Sequence, residues 1–153
     1  MTKQNIIIGS DHGGYHLKET VKHWLEMNGF TVTDVGCDSS ESVDYPVYAC
    51  EVAQRVSRGE FPQGILICGT GIGMSMAANK YRGIRAALCN DLFCATHSRA
   101  HNDANILVMG GRILGSAYAL AITKEFMNTK FDGGRHRKRV DQIMKAEEKW
   151  GKK

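Results

Sequence analysis

The chain has 153 residues, of which 42% are hydrophobic, and a net charge of +4, which predicts one globular domain over residues 1–153. It begins with no basic-then-apolar signal segment, and its apolar runs are too short to cross a bilayer, so we expect a cytoplasmic protein that binds no membrane. The five cysteines are odd in number and form no CxxC pair, which argues against a disulfide framework or a structural zinc site.

The predicted elements alternate along the chain, because apolar β-branched runs alternate with helical patterns. Strands are predicted at residues 5–9, 31–35, 64–67, 85–89 and 106–109. Helices are predicted through Leu17, Val21, Trp24 and Leu25, from Pro46 through Val52, Ala53 and Val56, at 74–79, at 92–99, at 116–127, and finally through Val140, Ile143, Met144 and Ala146. This order predicts an α/β fold: a doubly wound, Rossmann-like five-stranded parallel sheet with helices on both faces and a C-terminal helix.

Polar residues and glycines follow three of the predicted strands. In doubly wound sheets, ligands bind beyond the carboxyl ends of the strands. The residues at these ends are Ser10, Asp11 and His12 after the first strand, Cys68 after the third, and Gly110, Gly111 and Arg112 after the fifth. We therefore expect the functional site at this edge.

Cys68 is followed by a glycine-rich turn, Gly69, Thr70, Gly71, Ile72 and Gly73, that opens a predicted helix. Glycines let successive backbone N–H groups converge on one point, and a helix N-terminus adds positive potential, so a thiolate is favoured there. A catalytic base or nucleophile is one interpretation. A small buried apolar residue is the other, and the turn alone leaves both open.

Two other interpretations of these motifs are weaker. The glycine spacing is GxGxG after the third strand rather than GxGxxG after the first, although Asp91 lies where a ribose-binding acid could fall, so a nucleotide site stays as an alternative. No Lys directly follows the last glycine, which excludes a Walker loop. His97 and His101 share a helical spacing, but no HExxH pattern or converging carboxylate accompanies them, so we expect no metal site.

Two polar clusters each allow a functional and a structural interpretation. His101, Asn102 and Asp103 precede the fifth strand, and we expect them to enter the same carboxyl-end or loop region, where a histidine could move protons. A helix-end cap is the alternative. Asp11 and His12 suit recognition of sugar hydroxyls or phosphate, or they simply cap the first helix.

The basic charge of the chain is concentrated in its tail. From Lys130 onward, nine Lys and Arg stand against four Asp and Glu, and residues 135–139 read RHRKR. This pattern is typical of a nucleic-acid patch, a solvated helix face or a small-anion site. A phosphate on the glycine turn would oppose the Cys68 thiolate, so we expect Arg135 and Arg139, one helical turn apart, to bind a phosphate instead. No aromatic interleaving or groove-entering motif supports nucleic-acid binding.

Five motifs together resemble one known family, ribose-5-phosphate isomerase type B. They are Ser10-Asp11-His12-Gly13-Gly14, Asp44-Tyr45-Pro46, Ile67-Cys68-Gly69-Thr70-Gly71-Ile72-Gly73 with Ala77-Ala78-Asn79-Lys80, His101-Asn102-Asp103-Ala104-Asn105, and Gly133-Gly134-Arg135-His136 with Arg139. The resemblance spans nearly the whole chain. It implies an aldose–ketose isomerase without metal or cofactor that interconverts ribose 5-phosphate and ribulose 5-phosphate through an enediolate, in the pentose phosphate pathway.

The resemblance also implies an assembly. Galactose-6-phosphate isomerase divides these motifs between two kinds of subunit, whereas this chain carries them all, which favours the pentose enzyme. A homo-oligomer is expected, a dimer and possibly a tetramer, with active sites shared between subunits. An isomerase of a six-carbon sugar phosphate, such as allose or galactose 6-phosphate, is the alternative activity.

Roles for individual residues follow from the resemblance. Cys68 would be the base that moves a proton between C1 and C2, and His101, with Thr70 nearby, would open the furanose ring. Some relatives carry a glutamate base at the position of Met74, with glycine in place of the cysteine, and this chain follows the cysteine pattern. The remaining implied contacts are Gly69, Thr70, Gly71, Ile72 and Gly73 as the anion hole, Asn102 on the substrate, and Asp11, His12, Arg112, Arg135 and Arg139 on hydroxyls and phosphate.

Overall fold

Five parallel strands form one sheet in the computed structural model, which describes residues 4–151. The strands are β1 (Asn5–Ser10), β2 (Thr31–Asp34), β3 (Gly64–Cys68), β4 (Ala86–Leu88) and β5 (Ile106–Gly110), and their order is β2-β1-β3-β5-β4. The helices are α1 (Tyr15–Met27), α2 (Tyr45–Ser57), α3 (Ile72–Ala78), α4 (Leu92–Ala100), α5 (Ser116–Asn128) and α6 (Arg135–Trp150). Each predicted element is present, with small shifts at its ends. None of these helices is long and apolar enough to cross a membrane.

Side chains of successive strand residues alternate between two apolar cores, one on each face of the sheet. On β1, Ile6 and Ile8 face α1, α4 and α5, whereas Ile7 faces α2 and α3. On β3, Ile67 belongs to the first core and Cys68 to the second. Strands buried on both faces explain the continuous apolar runs in the sequence, and the two helical layers confirm the doubly wound prediction.

A buried lysine joins α1 to the carboxyl end of β2. The Lys18 side chain is 1% exposed, and its ammonium lies 2.6 Å from Asp34 and 2.7 Å from Glu19. Burial alone would raise the pKa of Asp34, but hydrogen bonds from Lys18 and Lys22 hold it below its ordinary value. The stabilisation from Asp34 is therefore present above its unfolded pKa and is lost as the pH falls through the lower folded value.

Helix α6 lies along the amino-terminal edge of the sheet. Its buried residues are His136 and Val140. The Gly83 N–H, shortly before β4, donates to the Glu147 carboxylate at 2.9 Å. The rest of the helix is largely exposed, so most of its basic side chains remain available to a ligand or to another chain.

Gly14 allows the start of α1 to pack against the end of β3. A Cβ at this position would overlap the carbonyl oxygen of Ile67, which belongs to the backbone and cannot rotate away. The absence of a side chain at Gly14 therefore sets how closely the loop after β1 approaches Cys68.

We predict that Gly14→Ala lowers the free energy of unfolding by about 3 kcal/mol, because the added methyl group forces the two backbones apart. Gly115→Ala is the matched control, since nothing lies within 4 Å of a Cβ there. Urea denaturation of both variants measures the difference. Equal stability of the two variants would contradict the packing argument.

Candidate active site

The carboxyl ends of β1, β3 and β5 meet around Cys68. Cys68 pairs with Gly110 in the sheet register, and its carbonyl accepts the N–H of Gly111 at 2.7 Å. The Asp11 N–H donates to the Ile67 carbonyl at 3.3 Å. The prediction that these strand ends gather at one edge is therefore confirmed.

The Cys68 thiol lies under the glycine turn, with the residue 4% exposed. The Gly71 N–H donates to its Sγ at 3.2 Å. Gly71 has φ +81°, and a Cβ there would overlap the Leu88 side chain, so only glycine gives this turn its shape. An N–H aimed at sulfur stabilises the negative charge of a thiolate.

The turn residues do not all offer free N–H groups to a substrate. The Gly71 N–H serves the sulfur, and the Ile72 N–H donates to Thr70 Oγ1 at 3.2 Å. Gly73 lies in the first turn of α3, where N–H groups have no acceptor within the helix. A Cβ at Gly73 would lie 2.5 Å from Cζ of Tyr45, so the Tyr45 ring covers this side of the turn. The Asp44-Tyr45-Pro46 motif is visible in the sequence, but the residue pattern alone assigns this tyrosine no role.

Arg112 lies over the other side of the turn. Its N–H donates to the Gly69 carbonyl at 3.0 Å, and a Cβ on Gly69 would lie 3.5 Å from Arg112 Nη1. The guanidinium thus adds a full positive charge beside the glycine turn. Such a charge attracts an anionic ligand, such as a sugar phosphate, to this side of the turn.

Asp11 and His12 each use one atom to hold the loops. Asp11 is 6% exposed, and its Oδ1 accepts the Gly14 N–H at 3.1 Å. His12 Nδ1 accepts the Val43 N–H at 3.2 Å. In the neutral imidazole the proton is therefore assigned to Nε2, which can donate to a substrate oxygen. Asp11 carries the structural role considered for it, and the outer nitrogen of His12 is left for binding.

The structure contradicts the expected position of residues 101–103. Helix α4 runs back across the sheet and ends at the amino-terminal edge, so His101 and Asn102 precede β5 at the edge opposite Cys68. Arg135 and Arg139 lie at that same far edge, because α6 begins where the ring of His136 stacks on His101. The predicted site residues thus form two groups on opposite edges of one sheet.

His101 is surrounded by three side chains, His97, Asp132 and His136. The spacing of these residues in the sequence does not show that they meet. The His101 ring is parallel to that of His136, with centroids 4.0 Å apart, and meets His97 edge-on at 4.7 Å. Its Nε2 lies 3.9 Å from Asp132 Oδ2, so a carboxylate does accompany the histidine. The lone pairs of two parallel rings lie in two separate planes, and the ligand atoms of His101, Asp132 and His136 spread up to 4.8 Å apart. These rings do not aim at one ion.

The backbone after Asn102 is held in an unusual conformation. Asp103 has φ +47°, in the left-handed region that non-glycine residues rarely adopt. Arg99 donates to its carboxylate at 2.9 Å, and Arg85 donates to its carbonyl at 2.8 Å. The two arginines fix the direction in which the preceding His101–Asn102 segment faces.

Asp91 acts as a helix cap. Its carboxylate accepts the Cys94 N–H at 2.7 Å at the start of α4. The interpretation of Asp91 as a ribose-binding acid for a nucleotide therefore gains no support, because this carboxylate is occupied by the backbone.

Comparison with known proteins decides the family. The family described as Ribose/Galactose Isomerase matches residues 6–143. The chain belongs to this family. Among its relatives, ribose-5-phosphate isomerase B of Escherichia coli is 44% identical over 146 residues, covering 95% of this chain and 98% of the relative.

Solved structures of this family have the same fold. Ribose-5-phosphate isomerase B of Clostridium thermocellum superposes with a TM-score of 0.94 at 49% identity, covering 96% of this chain and 99% of the other. The enzyme of Mycoplasma genitalium, solved with bound ribulose 5-phosphate, superposes with a TM-score of 0.93 at 38% identity and covers 97% and 99% of the two chains. The α/β fold class predicted from the sequence is that of these isomerases.

Proposed function

We propose that the chain interconverts ribose 5-phosphate and ribulose 5-phosphate with Cys68 as the base. The observation that carries the choice of base is the Gly71 N–H directed at the Cys68 sulfur, on a turn whose Gly69 lies beside the Arg112 guanidinium. A second cysteine serves as a contrast. Burial raises the pKa of Cys89 to about 11, so that thiol stays protonated.

The base moves one proton between neighbouring carbons. Cys68 removes the proton from C2 of the open-chain aldose, and the electron pair passes to the carbonyl oxygen O1 to form an enediolate. Return of that proton to C1, with transfer of the hydroxyl proton from O2 to O1, yields the ketose. Backbone N–H groups of the turn, with Gly73 the best placed, stabilise the developing oxyanion.

Ring opening must come before proton transfer, because ribose 5-phosphate is mainly a furanose. The C1–O4 bond breaks, O4 gains a proton, and the O1 hydroxyl loses one. We assign these transfers to His101 together with Thr70, and contacts to the open chain to Asn102. His101 Nε2 lies 3.9 Å from Asp132 Oδ2, so a carboxylate is close to the ring that exchanges these protons.

One chain cannot bring both groups of residues to one substrate. From Ile106 to Gly110, β5 separates the two edges by about 13 Å, at about 3.3 Å per residue. C1 and the phosphorus of a pentose phosphate are about six bonds apart and span at most ~8 Å. We therefore propose a homodimer in which a second copy supplies its His101, Asn102, Arg135 and Arg139 to the Cys68 edge of the first.

Exposed apolar side chains near the Cys68 edge support this assembly. Ile72 and Met76 on α3 are 48% and 63% exposed, and Ile113 after β5 is 57% exposed. Phe93, in the first turn of α4, is 71% exposed. Apolar side chains grouped on one surface mark a protein interface. A second copy that covered them would also bring its basic α6 toward the site.

We place the enzyme in the cytoplasm. Its cysteines are all free, which agrees with a reducing compartment. Its proposed partners are the sugar phosphate and a second copy of the chain.

Arg139→Ala should raise KM for ribose 5-phosphate by about 10- to 100-fold with a smaller change in kcat, because a charge-assisted bond to the phosphate is lost. Lys138→Ala is the matched control, since Lys138 is also an exposed cation on α6, and it should change KM by less than about twofold. Steady-state kinetics measures both. An unchanged KM in Arg139→Ala, or equal effects in the two variants, would refute the phosphate assignment.

Cys68→Ala and His101→Ala should each abolish turnover as pure proteins, yet co-expression of the two should restore activity. Random pairing makes half of the dimers mixed, and each mixed dimer contains one intact site, so about a quarter of wild-type activity is expected. Two affinity tags isolate the mixed dimer, which should have about half of wild-type activity. An inactive mixed dimer would rule out the shared site, and strong activity in Cys68→Ala alone would rule out the cysteine base.

A further inference from the structure

We propose that His136 is a positioning residue for His101: its imidazole provides a flat face against which the ring-opening histidine is held. This inference rests on the proposed role of His101. The ring planes of the two residues differ by 5°, and their centroids lie 4.0 Å apart. Such close, parallel contact restricts rotation of the His101 ring about its side-chain bonds.

The position of His136 on α6 separates it from the phosphate-binding residues. His136 and Val140 are spaced by four residues and face the body of the protein, where His136 is 8% exposed and Val140 is 2% exposed. Arg135 and Arg139 share the same spacing but are exposed. One face of the helix thus anchors it and supports His101, while the adjacent face presents cations to a ligand.

The charges around His136 keep it neutral. Loss of solvation lowers its pKa, and His101, Arg135 and Arg139 lower it further, whereas Asp132 opposes them. Arg135 Nε also donates to His136 Nε2 at 3.4 Å, so a lone pair on that nitrogen is occupied. A neutral ring can stack on His101 whether or not His101 carries a second proton.

His97 holds His101 from a second direction. It meets the His101 ring edge-on, and its own Nδ1 lies 2.8 Å from the Phe93 carbonyl oxygen. His101 is therefore contacted on a face by α6 and along α4 by the preceding turn. The His101 side chain is still 37% exposed, so a substrate can reach it.

Ring opening can be measured without isomerisation in a Cys68→Ala background. Exchange between the α and β anomers of ribose 5-phosphate passes through the open-chain aldehyde, and NMR exchange spectroscopy follows it directly. The Cys68→Ala protein should accelerate this exchange, and Cys68→Ala with His101→Ala should not. If the second substitution has no effect, the proposed function of His101 fails, independently of His136.

The inference about His136 is tested by two substitutions in the same background. His136→Ala removes the stacked face and should slow anomer exchange by about 10-fold or more, since small misplacements of an acid–base group are costly. His136→Phe keeps a flat ring but cannot titrate or accept the Arg135 N–H, and it should stay within about threefold of the parent. Lys138→Ala on the same helix is the control and should change nothing.

Affinity for inorganic phosphate, measured by calorimetry, distinguishes positioning from a general disturbance of α6. It should change by less than about threefold in both His136 variants, because Arg135 and Arg139 bind phosphate on the adjacent, exposed face and both variants lose the same 3.4 Å bond from Arg135. If His136→Ala weakens phosphate binding as much as it slows anomer exchange, the residue merely stabilises the helix. Equal slowing by His136→Phe and His136→Ala would show that stacking is not the function, and no slowing by either would refute the proposal outright.

Discussion

The hydrogen-bond register between β3 and β5 places Cys68 beside Gly110 and Gly64 beside Ile106. All the strands of the sheet run in the same direction, so every strand delivers its carboxyl end to one edge. Each helix that connects two such strands must run back to the other edge. The thiol at the end of β3 and the histidine at the end of α4 are therefore held on opposite sides of the protein. A site that needs both requires two copies of the chain.

Binding the phosphate on cations remote from the glycine turn reduces an electrostatic problem of the reaction. A thiolate and a phosphate about 4 Å apart would repel by about 4 kcal/mol per pair of unit charges at an effective dielectric constant of about 20, and by about 2 kcal/mol at the ~8 Å that C1 and the phosphorus of an extended pentose phosphate can span. Repulsion at the shorter distance would return the proton to the sulfur. In the proposed site, the cations of α6 are separate from the Gly71 N–H and the Arg112 guanidinium. The phosphate end of the substrate is therefore bound by charge, while its C1 and C2 atoms face the base.

Local signals in the sequence were sufficient to predict the fold, because the residues that mark helix ends agree with the alternating order of strands and helices. Gly29 has φ +87° directly after α1, and Pro46 occupies the first turn of α2, as their residue types predict. The strand ends around Cys68 also followed from chain order. The predicted position of His101 was wrong, because the composition of a polar triplet does not show at which edge of the sheet it lies. A residue just before a parallel strand lies at the amino-terminal edge.

Contacts between distant segments could not be predicted from the residues. Nothing in the spacing of Lys18 and Asp34 shows that a buried ammonium joins α1 to β2. Likewise, 35 positions separate His101 from His136, and only the return of α6 brings their rings together. Tyr45 packs on Gly73 because α2 and α3 share one face of the sheet, a relation that appears only once the layers are formed.

The central claim is that one substrate is held by two chains, and a crystal structure of the Cys68→Ala protein with ribose 5-phosphate tests it most directly. We expect C1 and C2 of the sugar beside residue 68 of one chain, and the phosphate on Arg135 and Arg139 of the other. A sugar phosphate whose two ends are both bound by residues of one chain would contradict the claim.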